Sequence, residues 1–361
     1  MESIKNSITF SGDGLPNSPQ ILADNIKNLP NINDIKPDSY SIGGIVEDLE
    51  LKFSKIFNKE KSIFLPTGTL ANHLAIRELS GVNSKVIVPE QSHIYQDSGD
   101  TLQSLSGINL IPSGLNSPCY ELSELKEIIS KNNISRVPKK IGCIVIESPV
   151  RRQQGKVIPY EQMKLITDFA KSNNIKTHLD GARIYMMSAA TKIPIQKYSS
   201  IFDTVYCSLW KYFGAPWGAI LSGPEKIIEG MQHTRRMFGG SIPNSSLNAA
   251  IILNGISNFE NKMNNAYDQG IILFKMLNDS EKFKIYFNDN HSNVFQMHVD
   301  TKDNYNKIKS NLINNNIYLP DLNRETYGII NSKNTVDIRI NISLLNQPIE
   351  EIYKHFMNAT S

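Results

Sequence analysis

The sequence has few cysteines, no long apolar run and little excess of charge of either sign. Cys119, Cys143 and Cys207 stand far apart with no CxxC pair, which argues against a zinc site and a disulfide framework. No apolar run approaches the roughly 20 residues that a membrane-spanning helix needs, and the N-terminus lacks a basic-then-apolar signal segment. We therefore expect a cytoplasmic protein with no membrane partner and no bound metal.

The charge balance also limits the partners. With 38 basic and 35 acidic residues, the chain has a formal charge of +3, which is too balanced to indicate nucleic-acid binding. Its length of 361 residues favours two unequal domains. We expect an N-terminal arm and a large domain over residues 1–243, followed by a smaller α+β domain over residues 244–361.

Short apolar runs alternate with stretches of helical periodicity through the first two thirds of the chain. Helices are predicted near residues 45–58, 122–129 and 163–169, and a long one at 244–277. Strands are predicted at residues 62–65, 85–88, 141–147, 175–180, 204–209 and 217–221, and, in the last part of the chain, at 293–299 and 336–342. This alternation predicts the α/β class, with a mostly parallel sheet covered by helices on both faces.

The segment from Leu65 to His73 follows a predicted strand and leads into a helix. Gly68 allows a tight turn, and Thr69 offers a hydroxyl beside the free backbone N–H groups of the first helical turn. Those N–H groups and the helix dipole favour a phosphate group. Taken alone, the segment is equally compatible with an ordinary capped helix start.

Two further segments carry charged residues at predicted strand ends. Asp180 ends one strand, before Gly181, where it could keep a pyridine nitrogen protonated, and Arg183 could bind a carboxylate. Lys211 ends the next predicted strand, in an apolar setting that would lower the pKa of its amine, as Schiff-base chemistry requires. Ser208 is placed to bond a phosphate. In isolation, these segments could be a surface ion pair and a strand-end lysine, but together the three segments indicate a pyridoxal phosphate (PLP) site.

At this point the chain resembles the fold-type I PLP enzymes of the L-threonine aldolase and β-eliminating lyase family. The resemblance runs from about residue 8 to residue 357. The most specific matches are Pro66-Thr-Gly-Thr-Leu-Ala-Asn72, Glu90-Gln-Ser-His-Ile-Tyr95, His178-Leu-Asp-Gly-Ala-Arg183 and Ser208-Leu-Trp-Lys-Tyr-Phe-Gly-Ala-Pro216, with weaker ones at Phe10-Ser-Gly-Asp13 and Arg235-Arg-Met-Phe-Gly-Gly240.

The resemblance implies a role for each matching residue. Lys211 would form the Schiff base, Asp180 would contact the pyridine nitrogen, and His93 would stack over the ring. The implied cofactor-binding residues are Gly68, Thr69, Asn72, His93, Asp180, Ser208 and Lys211. The implied substrate-binding residues are Arg183, Arg339, Ser11 and Tyr95, although Arg339 is also compatible with a plain exposed strand position. The family further implies a homodimer or homotetramer.

Three departures from the family pattern concern the substrate side of the site. Glu147-Ser-Pro-Val-Arg151 lacks a histidine that many members have, and Arg151 fits a branch of the family that carries arginine there. Pro243 stands where an arginine would reach the neighbouring subunit's phosphate. Asp97 replaces the tyrosine of a His-x-x-x-Tyr pattern.

The resemblance implies cleavage of a β-hydroxy-α-amino acid into glycine and an aldehyde, with Lys211, His93 and Asp180 as catalytic residues. His93, or a water that it positions, would accept the hydroxyl proton. The alternatives are PLP-dependent β-elimination, β-substitution or a specialised biosynthetic reaction on another amino acid. A protein that binds PLP without turnover is a third reading, against which the intact Asp180, Arg183 and Lys211 count.

Overall fold

The structure, a computed structural model, describes residues 7–14, 18–30, 32–322 and 334–360. The strands are β1 (Ile8–Thr9), β2 (Lys61–Leu65), β3 (Lys85–Pro89), β4 (Asn109–Ser113), β5 (Ile141–Glu147), β6 (Lys176–Asp180), β7 (Thr204–Ser208), β8 (Ala219–Gly223), β9 (Ile285–Tyr286), β10 (Val294–His298), β11 (Ile317–Tyr318) and β12 (Thr335–Arg339).

The helices cover both faces of the largest sheet and much of the last third of the chain. They are α1 (Pro19–Lys27), α2 (Gly44–Phe57), α3 (Gly68–Ser80), α4 (His93–Gln96), α5 (Thr101–Ser106), α6 (Leu122–Asn133), α7 (Tyr160–Ser172), α8 (Ile184–Thr191), α9 (Ile195–Ser200), α10 (Glu225–Ile228), α11 (Met231–Met237), α12 (Ser246–Gly255), α13 (Phe259–Asp279), α14 (Lys302–Ile313) and α15 (Ile349–Ala359). Short 3-10 turns lie at Ile32–Asp34, Arg151–Gln153 and Ile342–Asn346.

The largest sheet has the strand order β2-β8-β7-β6-β5-β3-β4, and only β8 runs antiparallel to its neighbours β2 and β7. Every residue of β5 is buried, as expected of a parallel strand with both faces covered. The prediction of a mostly parallel α/β sheet is confirmed. The sequence pattern did not predict β4, whose residues 109–113 form a partly exposed edge strand with a proline.

Alternate residues of the central strands pack into different cores on the two faces of the sheet. In β7, Val205 packs with the helices on one face, whereas Tyr206 packs against Ala71 and Leu74 of α3 on the other. This alternation follows from the two-residue side-chain period of a strand. The helices predicted on both faces are therefore present.

The carboxyl ends of three adjacent parallel strands bring functional groups together. Glu147 at the end of β5 pairs in register with Asp180 at the end of β6, and Asp180 pairs with Tyr206 of β7. Ser208 ends β7, so Lys211 lies three residues beyond the strand, in the turn that leads to β8, rather than on the strand itself. Ligands of open α/β sheets bind at this edge.

The stretch predicted as one helix over 244–277 is two helices. Asn258 adopts a left-handed conformation with φ 55° between α12 and α13, which a continuous helix does not allow. The last third of the chain also contains the three-stranded sheet β12-β10-β9, and β1 pairs in parallel with β11. The domain boundary between residues 243 and 244 stays a prediction. Among the described residues, none of the helices has both the length and the apolar character to span a membrane.

Candidate active site

A cavity of about 340 Å³ opens at the carboxyl edge of the central sheet. It brings together segments that lie far apart in the sequence: the start of α3, the start of α4, and the ends of β5, β6 and β7. The lining residues are Pro66, Thr67, Gly68, Thr69, His93, Glu147, Arg151, Asp180, Ala182, Arg183, Tyr206, Trp210, Lys211, Pro216 and Trp217.

The start of α3 is suited to bind a phosphate. Thr67, rather than Thr69, caps the helix, because its Oγ1 accepts a hydrogen bond from Leu70 N–H at 3.2 Å. The N–H groups of Gly68 and Thr69 have no acceptor among the described residues, and they border the cavity. The buried Ser208 Oγ also has no hydrogen-bond partner in that part of the chain. A phosphate would satisfy all three donors.

Gly68 serves close packing rather than a tight turn. It is the first residue of α3 and does not have a positive φ. A Cβ atom at this position would lie 1.8 Å from the Tyr206 hydroxyl, which sits below the helix start. A side chain here would therefore displace Tyr206 from the cavity wall.

Asp180 is held by a buried chain of hydrogen bonds. Asn72 Nδ2 donates to Asp180 Oδ2 at 2.7 Å, and the Asn72 oxygen lies 2.9 Å from His178 Nε2. Because the Asn72 oxygen can only accept, His178 Nε2 must carry the proton, and Nδ1 then accepts from Thr204 Oγ1 at 2.8 Å. Burial lowers the pKa of His178 to about 4, so its ring is neutral. This chain of hydrogen bonds fixes the orientation of the Asp180 side chain, which lines the cavity.

Lys211 has the properties that a Schiff-base lysine needs. It is half-buried on the cavity wall, with Nζ 5.6 Å from the ring centroid of Trp210. Burial, and then the positive charge of Arg183, lower the pKa of its amine to about 8. A substantial fraction of the amine is therefore neutral and nucleophilic near physiological pH.

His93 is the first residue of α4 and lines the opposite part of the cavity. Its backbone N–H donates to Glu147 Oε2 at 2.5 Å, and its ring Nδ1 lies 3.3 Å from Ser98 Oγ. Burial lowers the pKa of the imidazole, although the nearby Asp180 raises it. The ring is thus held as a neutral base beside the cavity.

Glu147 is a site residue that the sequence analysis did not single out. Its Oε2 accepts from His93 N–H and its Oε1 accepts from Arg151 N–H at 3.0 Å, so it joins the two loops at the cavity mouth. Burial, and then the negative charge of Asp180, raise the pKa of Glu147 to about 7. Glu147 could have been identified from the sequence because it is an acidic residue at the end of a predicted strand, as Asp180 is.

Arg183 lines the cavity and is oriented by a second residue that the sequence analysis missed. Its Nε donates to Asp13 Oδ2 at 2.7 Å, and Arg339 Nη1 lies 3.9 Å from Asp13 Oδ1. Burial alone would raise the pKa of Asp13, but the charges of Arg183, Arg339 and Lys211 lower it well below its usual range. Asp13 therefore stays ionised and joins the two arginines predicted to bind a carboxylate.

Comparison with known proteins agrees with this geometry. A family model described as β-eliminating lyase matches residues 35–308. The chain belongs to the β-eliminating lyase family. Its cofactor is PLP, which the donors at Gly68, Thr69 and Ser208 and the acid at Asp180 fit.

Individual relatives span different shares of the chain. A low-specificity L-threonine aldolase from Candida albicans is 27% identical over 288 residues, which cover 78% of this chain and 72% of that protein. The alanine racemase TOXG from Cochliobolus carbonum is 31% identical over 198 residues, 54% of this chain and 49% of that protein. The chain thus matches about half of the length of the second relative.

The fold is also that of solved family structures. A protein from Exiguobacterium of the aromatic amino acid β-eliminating lyase/threonine aldolase type has a TM-score of 0.79 at 21% identity, and the match covers 99% of both chains. This agreement over the whole length establishes the fold-type I architecture.

Three predicted substrate residues lie outside the cavity lining. Tyr95 packs against the apolar core beside α3 and α5, and Ser11 Oγ bonds Thr9 Oγ1 at 3.0 Å. Arg339 Nη1 lies near Asp13, which in turn pairs with Arg183. Their substrate roles stay predictions.

The departures from the family pattern fall into two groups. Asp97 and Arg151 are partners, joined by a hydrogen-bonded ion pair between Asp97 Oδ2 and Arg151 Nη2, and Arg152 Nη1 lies 3.1 Å from Asp97 Oδ1. Pro243 is not part of the cavity lining, and its carbonyl accepts a hydrogen bond from Tyr40 N–H at 3.4 Å. Two departures that are 54 residues apart in the sequence thus form one feature of the site.

Proposed function

We propose that this enzyme cleaves a β-hydroxy-α-amino acid of the threonine type into glycine and an aldehyde. The observation that carries the proposal is that Lys211, Asp180, Arg183 and His93 line one cavity. When bound, PLP supplies an electron sink for the bond that breaks at Cα. Lys211 would hold the cofactor covalently, and Asp180 would face its ring nitrogen.

The chain's own residues supply binding, orientation and proton transfer. Arg183 binds the α-carboxylate through the nitrogens that Asp13 does not occupy, which fixes the direction of the Cα–Cβ bond. Neutral His93, or a water bonded to it, accepts the proton of the β-hydroxyl group as that bond breaks. The proton that Cα then requires comes from a group on the same cavity wall, and no oxidant or reductant is needed.

The test is the release of glycine and acetaldehyde from L-threonine by the purified, PLP-loaded enzyme. We expect both products in equal amounts, and no release above background from a Lys211→Ala variant, because that variant has lost the covalent attachment point. Far-ultraviolet circular dichroism would show whether the variant is folded. An enzyme that carries PLP but forms no aldehyde from threonine or related β-hydroxy amino acids would contradict the proposal.

A second candidate is β-elimination or β-substitution on another amino acid. The observation that favours it is that Arg151 on the cavity wall pairs with Asp97, which stands where the family pattern has a tyrosine, since changed surroundings accompany a changed substrate. The similarity to an enzyme named alanine racemase, whose name denotes a different reaction, also supports this candidate. Formation of pyruvate and ammonia from L-serine, without glycine, would support this candidate. A PLP-binding protein without turnover would form neither set of products.

We further propose that the enzyme is a cytoplasmic homodimer or homotetramer. Trp210, next to Lys211, is 47% exposed, and Tyr40, Ile42, Met237 and Leu247 are exposed apolar residues on segments that contact each other. Burial of such a surface stabilises subunit association. The three cysteines are buried and unpaired, as suits a reducing compartment. Light scattering coupled to size exclusion should give a mass of two or four chains, and a mass of one chain would contradict the assignment.

A further inference from the structure

Arg151 is a cavity residue with no role in the chemistry described so far. Lys211 and Asp180 serve the cofactor, and Arg183 serves the α-carboxylate that all amino acids share. Arg151 lines the same cavity, and its side chain is 23% exposed. A guanidinium group on the wall of a ligand cavity is largely removed from water, so it favours a ligand that brings an anion.

Arg151 is held in place through both its backbone and its side chain. Its backbone N–H donates to the buried Glu147, which also binds the backbone of His93. Its Nη2 is paired with Asp97, whose side chain is 18% exposed. Because a guanidinium has five N–H donors, this pair leaves others for a ligand. The group is therefore positioned in advance, on the wall that also carries His93.

Arg151 shares its carboxylate partner with a second guanidinium group, because Asp97 pairs with both Arg151 and Arg152. Glu147 is close, but its two oxygens accept the backbone N–H groups of His93 and Arg151. Asp97 and Glu147 thus do not occupy all the side-chain N–H donors of Arg151, and those that remain can bind a substrate anion.

We propose that Arg151 binds an anionic group on the side chain of the substrate, so that the preferred substrate is an amino acid with a second carboxylate. This inference rests on the proposed function and names its substrate class. For 3-hydroxyaspartate, cleavage breaks the Cα–Cβ bond, removes the hydroxyl proton and adds a proton at Cα. The products are glycine and glyoxylate, and no redox partner is required.

The first experiment measures binding to the PLP-loaded enzyme by titration calorimetry, with L-aspartate and its uncharged isostere L-asparagine. We expect wild type to bind aspartate about tenfold more tightly, the size of one charge-assisted hydrogen bond. Arg151→Met should remove this preference, and its backbone bond to Glu147 is unchanged by the substitution. Arg151→Lys should retain part of it.

Arg152→Met is the matched control, because Arg152 contacts the same Asp97 but does not line the cavity. It should keep the aspartate preference. Equal affinities in wild type, a preference that survives Arg151→Met, or an equal loss in Arg152→Met would each overturn the assignment.

A second experiment separates this inference from the proposed function. The ratio of kcat/KM for 3-hydroxyaspartate to that for threonine should be about ten or more in wild type and near one in Arg151→Met. Cleavage of threonine with an unchanged ratio in the variant would overturn the role of Arg151 and leave the proposed function intact. If no β-hydroxy amino acid is cleaved, the proposed function fails, and the aspartate titration still decides whether Arg151 recognises a side-chain anion.

Discussion

The inner wall and the mouth of the cavity are built in different ways. On the inner wall, Asp180 is 2% exposed and is fixed by a chain of hydrogen bonds through Asn72 and His178. At the mouth, Asp97 and Arg151 form a partly exposed ion pair on two loops. The inner wall follows the family pattern and the mouth departs from it. The groups predicted to hold the cofactor are therefore buried and fixed by hydrogen bonds, whereas the ion pair proposed to lie beside the substrate side chain is partly exposed.

The largest effect is expected when an aspartate is replaced by asparagine on the inner wall rather than at the mouth of the cavity. Asp180→Asn should lower kcat for threonine on the order of 10²- to 10³-fold, because it removes the preorganised charge opposite the cofactor ring. Asp97→Asn should lower it by less than about tenfold, because it weakens only a partly exposed ion pair. Steady-state kinetics with PLP-saturated enzyme would measure both. Equal losses would show that the two regions do not have separate roles.

An intermediate effect is expected for the residue that supports Asp180. Asn72→Ala should reduce the free energy of unfolding by about 1–3 kcal/mol, because it leaves His178 and Asp180 buried without their partner. Chemical denaturation of the PLP-free protein measures this change. Asn261→Ala, which alters an exposed asparagine of α13, is the matched control and should change stability by less than about 0.5 kcal/mol. An Asn72→Ala variant with an unchanged free energy of unfolding would mean that the buried chain of hydrogen bonds does not stabilise the inner wall.

The smallest expected effect is a shift in the pH dependence of PLP attachment. PLP attachment needs neutral Lys211, so its rate should rise with pH and level off above the lysine pKa of about 8. Arg183→Gln removes a positive charge that disfavours the protonated amine and leaves Asp13 uncompensated. Both changes raise the pKa, so the midpoint should move upward, by under about one pH unit. Stopped-flow absorbance of PLP attachment gives the profile, and a midpoint that moves downward would contradict the sign.

The sequence predicted the inner wall well because each of its functional groups lies at the end of a recognisable element. Asp180 ends a buried strand, and Gly68 and Thr69 begin an amphipathic helix, so their common edge follows from parallel sheet geometry. Errors occurred where local pattern is ambiguous. The edge strand β4 has weak alternation, and the break between Gly255 and Phe259 interrupts an otherwise continuous helical pattern of apolar residues.

Several groups of the site could not be identified from sequence because their partners are distant. Asp13 meets Arg183 across 170 residues, and the early sequence around it shows little periodicity. Glu147 was placed correctly on its strand, but its bonds to His93 and Arg151 depend on how two loops fold back.

The sequence by itself determined the α/β class and the cofactor, because these depend on apolar periodicity and on groups at the ends of elements. The roles of the residues predicted to hold the cofactor stay predictions. Only the tertiary structure decided the space that Gly68 leaves for Tyr206, the neutral ring of His178, and the pairing of Asp97 with Arg151. Those features depend on packing distances and on burial, which raises the free energy of unpaired charges. Such quantities are set by which segments meet in space, and a local pattern does not contain them.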